Sequence, residues 1–132
     1  MAGRWRNMGS SGVGMPQNIL LNQFGRLIAE AFGDYPYQVG SSLETTEWRD
    51  VDVRLILEDE KYEVLFGKPK NNMLENKKWQ AFCLAFSVLG KQMTGLPIDF
   101  QIQPRSWANE KYSGRRSSLI MCDGLFDYKE DS

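Results

Sequence analysis

The chain has 132 residues, 42% of them hydrophobic and 25% charged, with 16 basic and 17 acidic side chains and a net charge of −1. One globular domain is the expectation for this length, and the charge balance fits neither a nucleic-acid coat nor a polybasic membrane anchor. Histidine is absent, which excludes Ser-His-Asp and Cys-His catalysis within the chain and leaves any chemistry to carboxylates, hydroxyls and cations.

Residues 1–14 are rich in Gly and Ser and lack periodicity, so they read as a flexible tail ahead of a single domain over 15–132. Trp5 is the anomaly in that tail. From Pro16 onward Leu20, Phe24, Leu27, Ile28 and Ala31 recur at helical spacing, with Pro16 suited to the first turn and Gly33 to the stop. The segment "DYPY" turns the chain into a short strand, Tyr37 to Val39, which runs into Gly40-Ser41-Ser42. "LETTEWR" reads as a short connection of one helical turn.

The next strand spans Asp50 to Leu57, with Asp50, Asp52 and Arg54 on one face and Val51, Val53 and Leu55 on the other. "YEVLF" fits a strand or a short helix equally, and Gly67-Lys68-Pro69 ends it. The main helix is expected from Leu74 to Met93, apolar almost all round in its second half and therefore covered on several sides. "PIDFQIQP" follows as a strand, with Ile98, Phe100 and Ile102 on one face and Asp99, Gln101 and Gln103 on the other. Ser106 suits the start of a short helix through Tyr112, "SGRRSS" is a polar loop, and "LIMC" reads as a final short strand before an acidic end. These elements predict an α/β (α+β) domain: a small mixed sheet with helices packed on its apolar face.

Two strands of matching parity then place Asp50, Asp52 and Asp99 on the same open face when paired side by side. Neighbouring strands lie about 4.8 Å apart, so these carboxylates repel unless a cation compensates them. Hard oxygen ligands suit Mg²⁺ or Mn²⁺, which commonly bind through a few carboxylates together with substrate phosphates. The Gly40-Ser41 turn offers the complement: backbone N–H groups with no Cβ in the way, and a hydroxyl donor.

Gly-Ser after a first strand, Asp-x-Asp on the next and a third Asp on a later strand resemble the nucleotidyltransferase superfamily that includes DNA polymerase beta. The compact size most resembles its minimal domains. The likeness covers about residues 18 to 103 and is strongest in "VGSSLETTEWRDVDVRLIL". The resemblance implies that Gly40, Ser41 and Ser42 contact the phosphates of a nucleoside triphosphate. It implies that Asp50, Asp52 and Asp99 are the catalytic carboxylates, holding two metal ions, with Asp99 helping to activate an acceptor hydroxyl. It also implies a second copy or a separate helical protein as partner. "SLETTEW" carries neither Gly nor Arg before Arg49, unlike many relatives, and little chain follows Asp99 to form an acceptor-binding domain. The alternative is a catalytically inactive nucleotide-binding or partner-binding module of the same fold. A third reading is an ion-paired strand face, with Arg54 as counter-ion and no nucleotide.

Other residues read more simply. Cys83, in "QAFCLAFSVLG", is a small core residue, and Cys83 and Cys122 match no metal-ligand spacing. Trp79, Phe82 and Phe86 read as core. Arg115 and Arg116 suit either a phosphate grip or a solvated loop, Lys77, Lys78 and Lys91 either a reach to the triphosphate or a helix surface, and Tyr35 and Tyr37 either packing or stacking on a base. No run of about 18 apolar residues occurs, so no membrane span is expected. The N-terminus lacks the apolar stretch of a signal peptide, and a cytoplasmic setting is expected.

Overall fold

The computed structural model describes residues 11–69, 73–111 and 114–119. Helix α1 spans Gln17–Phe32 and buries Leu21, Phe24 and Ile28, which recur at the helical period. It stops at Gly33, whose φ of 82° lets its N–H reach the Ala29 carbonyl at 2.7 Å. Strand β1 is Tyr37–Val39, helix α2 is the single turn Ser41–Glu44, and strand β2 is Val51–Leu57. Helix α3, Asp59–Phe66, decides the "YEVLF" ambiguity: Tyr62 and Phe66, four residues apart, are buried together with their rings 5.1 Å apart. After a 3₁₀ turn at Met73–Glu75 comes helix α4, Lys77–Thr94, capped by Asn76, whose side chain accepts from the Trp79 N–H at 3.1 Å. Strand β3 is Ile98–Pro104, helix α5 is Arg105–Lys111 and strand β4 is Ser117–Ser118.

The four strands form one mixed sheet in the order β3-β2-β1-β4. β2 and β3 are parallel, joined through α3 and α4, whereas β1 runs antiparallel to both β2 and β4. Together with the five helices of the described residues, this sheet makes the domain α+β, as the alternation of elements predicts. α1 and α4 pack together on the face that carries Val51, Val53, Leu55, Ile98, Phe100 and Ile102. Phe24 of α1 and Phe86 of α4 both meet the Phe100 ring, at 6.0 and 5.6 Å between centroids. α4 also satisfies the outer edge of β3. Ser87 Oγ accepts from the Phe100 N–H at 2.9 Å, and the Trp79 indole donates to the Ile102 carbonyl at 2.6 Å. No helix among the described residues is long and apolar enough to cross a membrane.

Three expectations are corrected here. Residues 11–14 do not behave as tail: Val13 is buried in the core, and the Gly12 N–H donates to the Ser42 carbonyl at 2.7 Å. Residues 1–10 lie outside the described residues. α4 is not covered all round, since Leu84 is 64% and Val88 58% exposed on its outer side: a two-layer α/β stack buries only the sheet-facing stripe. The short last helix begins at Arg105, one residue before Ser106. The last described strand is Ser117–Ser118, and Leu119 after it packs against Gly25 of α1; the rest of the expected strand "LIMC" lies outside the described residues.

Candidate functional site

The open face of the sheet is organised by strand register. Asp52 lies directly beside Asp99 in the parallel β2–β3 pair and opposite Val39 in the antiparallel β1–β2 pair. The two carboxylates therefore point the same way from adjacent strands, as their parity predicts. Asp50 precedes β2 rather than belonging to it, and is exposed. Asp50, Asp52 and Ser41 nevertheless line one cleft of about 530 Å³, together with Glu47, Trp48 and Arg49.

The turn above Asp52 is shaped by three residues. Gly40 has φ 79° and ψ −162°, a conformation essentially restricted to glycine, and a Cβ there would overlap Asp52 Oδ2. The absence of a side chain is what lets the backbone lie against the carboxylate. Gln38 is buried and donates to Ser42 Oγ at 3.0 Å and to Ser11 Oγ at 2.9 Å. Ser42 is fully buried, and its hydroxyl is an internal acceptor that fixes the turn. Ser41 is the exposed hydroxyl of the pair. Trp48 is anchored by its indole N–H on the Gly12 carbonyl at 3.2 Å, so the segment around Gly12 braces one wall of the cleft.

Arg54 is the other organiser. Its Nη1 donates to the Asp99 carbonyl at 2.6 Å and to the Val53 carbonyl at 3.1 Å. Its Nη2 lies 3.4 Å from Asp99 Oδ2 and 3.8 Å from Asp52 Oδ1, with the side chain only 14% exposed. Burial pushes the Asp52 carboxyl above the usual carboxylate range; Arg54 opposes that shift, and Asp99 and Asp50 reinforce it by repulsion.

The donor chemistry fits a hard divalent cation: Asp52 and Asp99 are neighbours, and Asp50 is close enough to raise the Asp52 pKa. Among the described residues, however, no group of three His, Cys, Asp or Glu side chains is drawn together as a formed metal site. Arg54 lies against two of the three carboxylates as their counter-ion.

The remaining candidates separate cleanly. Lys77, Lys78 and Lys91 ride on α4, on the opposite side of the sheet from Asp52 and Asp99. Tyr37 lies in register with Arg54, hence on the open face, whereas Tyr35 is an exposed loop residue. Arg116 donates to the Ala108 carbonyl and Asn109 Oδ1, both at 3.2 Å, and ties its loop to α5. Arg115 is 3.6 Å from Glu44 and lines a separate pocket with Ser11, Gly12 and Thr46. Trp48 and Glu47, both cleft-lining, escape sequence reasoning because nothing local distinguishes them; their closeness to Asp50 in the chain is the one available signal. Comparison with protein-family models, with curated proteins and with solved structures finds no match.

Proposed function

We propose that the chain is a metal-dependent nucleotidyltransferase that moves a nucleoside monophosphate from a nucleoside triphosphate to a hydroxyl acceptor. The observation that carries this reading is the convergence at one cleft of the glycine-serine turn and the aspartates: Ser41, Asp50 and Asp52 line it, Gly40 presses on Asp52, and Asp99 lies beside Asp52 in register. Gly40 and Ser41 hold the triphosphate through backbone N–H groups and the Ser41 hydroxyl. The acceptor oxygen attacks the α-phosphorus, the bond to the bridging oxygen breaks, pyrophosphate leaves, and Asp99 takes the hydroxyl proton. Mg²⁺ or Mn²⁺ held by Asp50, Asp52 and Asp99 would lower the pKa of the hydroxyl and offset charge on the leaving group. Most of the work is positioning and charge stabilisation. A second copy or a separate helical protein would supply the acceptor site, and buried, unpaired Cys83 accords with a cytoplasmic setting.

The test is transfer of label from an α-labelled triphosphate in lysate, with pyrophosphate release, lost in Asp52→Asn. A folded protein that binds no triphosphate in the presence of Mg²⁺ or Mn²⁺ would overturn the reading. The second reading, a non-catalytic module of the same fold, is favoured by the guanidinium of Arg54 against Asp52 and Asp99. Metal-dependent triphosphate binding without any transfer to lysate acceptors would decide for it.

A further inference from the structure

We infer that Trp48 is the platform on which the base of the nucleoside triphosphate stacks, so that the site takes any of the four common bases and holds a bare polyphosphate more weakly. The inference rests on the nucleotidyltransferase reading above. The cleft of about 530 Å³ has the size of a small-molecule site. Five of the six described residues that line it are polar or charged: Ser41, Glu47, Arg49, Asp50 and Asp52. Trp48 is the sixth, and it offers the one flat apolar surface among them. A nucleoside triphosphate has the matching division, with a flat aromatic base at one end and an anionic chain at the other. Tyr35 and Tyr37, which the sequence also offers for stacking, are not among the residues that line this cleft.

The ring is fixed before any ligand arrives. Part of it packs against the buried core and part borders the cleft. Its N–H is already satisfied by the Gly12 carbonyl at 3.2 Å, so the indole has π surface, not a donor, left for a ligand. Gly12 also ties the ring to the turn proposed for the phosphates. Its N–H donates to the Ser42 carbonyl at 2.7 Å, and Ser42 is next to Ser41. One residue thus joins the aromatic wall to the glycine-serine turn. It has to be a residue without a side chain, because a Cβ at Gly12 would overlap the carbonyls of Thr45 and Ser42. A ring held in this way loses little freedom when a base settles on it. Every base has a π face, so stacking on a fixed ring is tolerant of base identity.

The experiment is calorimetric titration of the full chain, with Mg²⁺ present, by two kinds of probe. One is the set of non-cleavable α,β-methylene analogues of the four common ribonucleoside triphosphates; the other is inorganic tripolyphosphate, which has the anionic chain and no base. The wild type should bind all four analogues, each at least about five-fold more tightly than tripolyphosphate. Trp48→Leu should weaken all four by about five- to a hundred-fold and leave tripolyphosphate binding unchanged. Trp48→Phe, which keeps an aromatic face and loses the bond to Gly12, should retain most of the analogue affinity. Tripolyphosphate bound by the wild type as tightly as the analogues would overturn this inference while leaving the nucleotidyltransferase reading intact. A folded Trp48→Leu protein with unchanged analogue affinity would do the same. So would equal losses of analogue and tripolyphosphate affinity, which would make Trp48 a prop for the turn. No analogue and no tripolyphosphate bound by the wild type would overturn both. Because the wild-type comparison alone can refute the inference, the test survives a variant that fails to fold.

Discussion

Gly40 lies so close to Asp52 that any side chain at residue 40 would meet the Asp52 carboxylate. A methyl group at residue 40 would overlap Asp52 Oδ2, and the backbone there has a φ of 79°. Gly40→Ala therefore combines a strained dihedral with a steric clash. It should cost about 1–3 kcal/mol in urea unfolding. Gly40→Ala with Asp52→Ala should cost less than the two single changes summed, because truncating Asp52 removes the clash but not the strain. Strict additivity in that cycle would show that the two residues are not in contact. A further consequence is that Gly40→Ala is a poor probe of phosphate binding, since it disturbs the turn and the carboxylate together.

Asp52 also sets a pH dependence. Burial, foremost, raises its pKa in the folded protein; Arg54 opposes this, while Asp99 and Asp50 add to it. The folded state thus binds this proton more tightly than the unfolded state does. The contribution of Asp52 to stability is largest below the ordinary carboxylate pKa and is lost as pH rises through the raised folded value. Metal-free Asp52→Asn should therefore melt no lower than wild type at neutral pH, and slightly higher. Its melting temperature should also vary less between about pH 4 and 7, the window above the unfolded carboxylate pKa. It should lose stabilisation by Mg²⁺. A marked drop in the metal-free melting temperature would instead assign Asp52 mainly to its ion pair with Arg54.

The segment at residues 11–14 gives a prediction about the cleft wall. Val13 is 4% exposed, Gly12 donates to the Ser42 carbonyl and accepts from Trp48, and Ser11 accepts from buried Gln38. Val13→Ala should cost about 1–2 kcal/mol, from two buried methyl equivalents at about 0.8 kcal/mol each. A chain starting at residue 15 should be less stable still, and the fluorescence of Trp48 should change as its indole loses Gly12. A chain starting at residue 11 should keep both. Equal stability of the two truncated chains would contradict the packing of residues 11–14.

These results show where a sequence is legible and where it is not. α1 and the β2–β3 pair are encoded by strong periodicity, three to four residues in one case and two in the other. That is why Asp52 and Asp99 could be placed on one face from spacing alone. α3 could not be assigned, because a five-residue window around Tyr62 and Phe66 satisfies both periods. Val13 is hidden in a glycine- and serine-rich run whose composition resembles a tail, and the bond that ties this run to α2, from the Gly12 N–H to the Ser42 carbonyl, is far from local. Ser42 looks equivalent to Ser41 in sequence; only the distant partner Gln38 turns it inward. For Arg54, the strand face was readable but the anchoring was not, because it uses the backbone carbonyl of Asp99, 45 residues away in the chain.

Ser41 provides the cleanest test of the phosphate half of the site. It is exposed, it lines the cleft with Asp50 and Asp52, and its main-chain carbonyl, not its hydroxyl, closes the α2 turn by accepting from the Thr45 N–H at 2.9 Å. Ser41→Ala should therefore leave the urea midpoint almost unchanged, as expected of an exposed substitution away from any cap or core contact. If the Ser41 hydroxyl donates to a phosphate, its removal deletes one hydrogen bond to a charged group, on the order of 1.5–3 kcal/mol. That corresponds to about a ten- to hundred-fold weaker triphosphate affinity. Calorimetric titration of each nucleoside triphosphate in the presence of Mg²⁺ measures it directly. The matching monophosphates separate phosphate recognition from base recognition: they should bind weakly to both proteins, with little difference between them. Unchanged triphosphate affinity in a folded Ser41→Ala protein would move the phosphates away from this turn. The pocket beside Arg115, Glu44 and Thr46 would then be the next place to look.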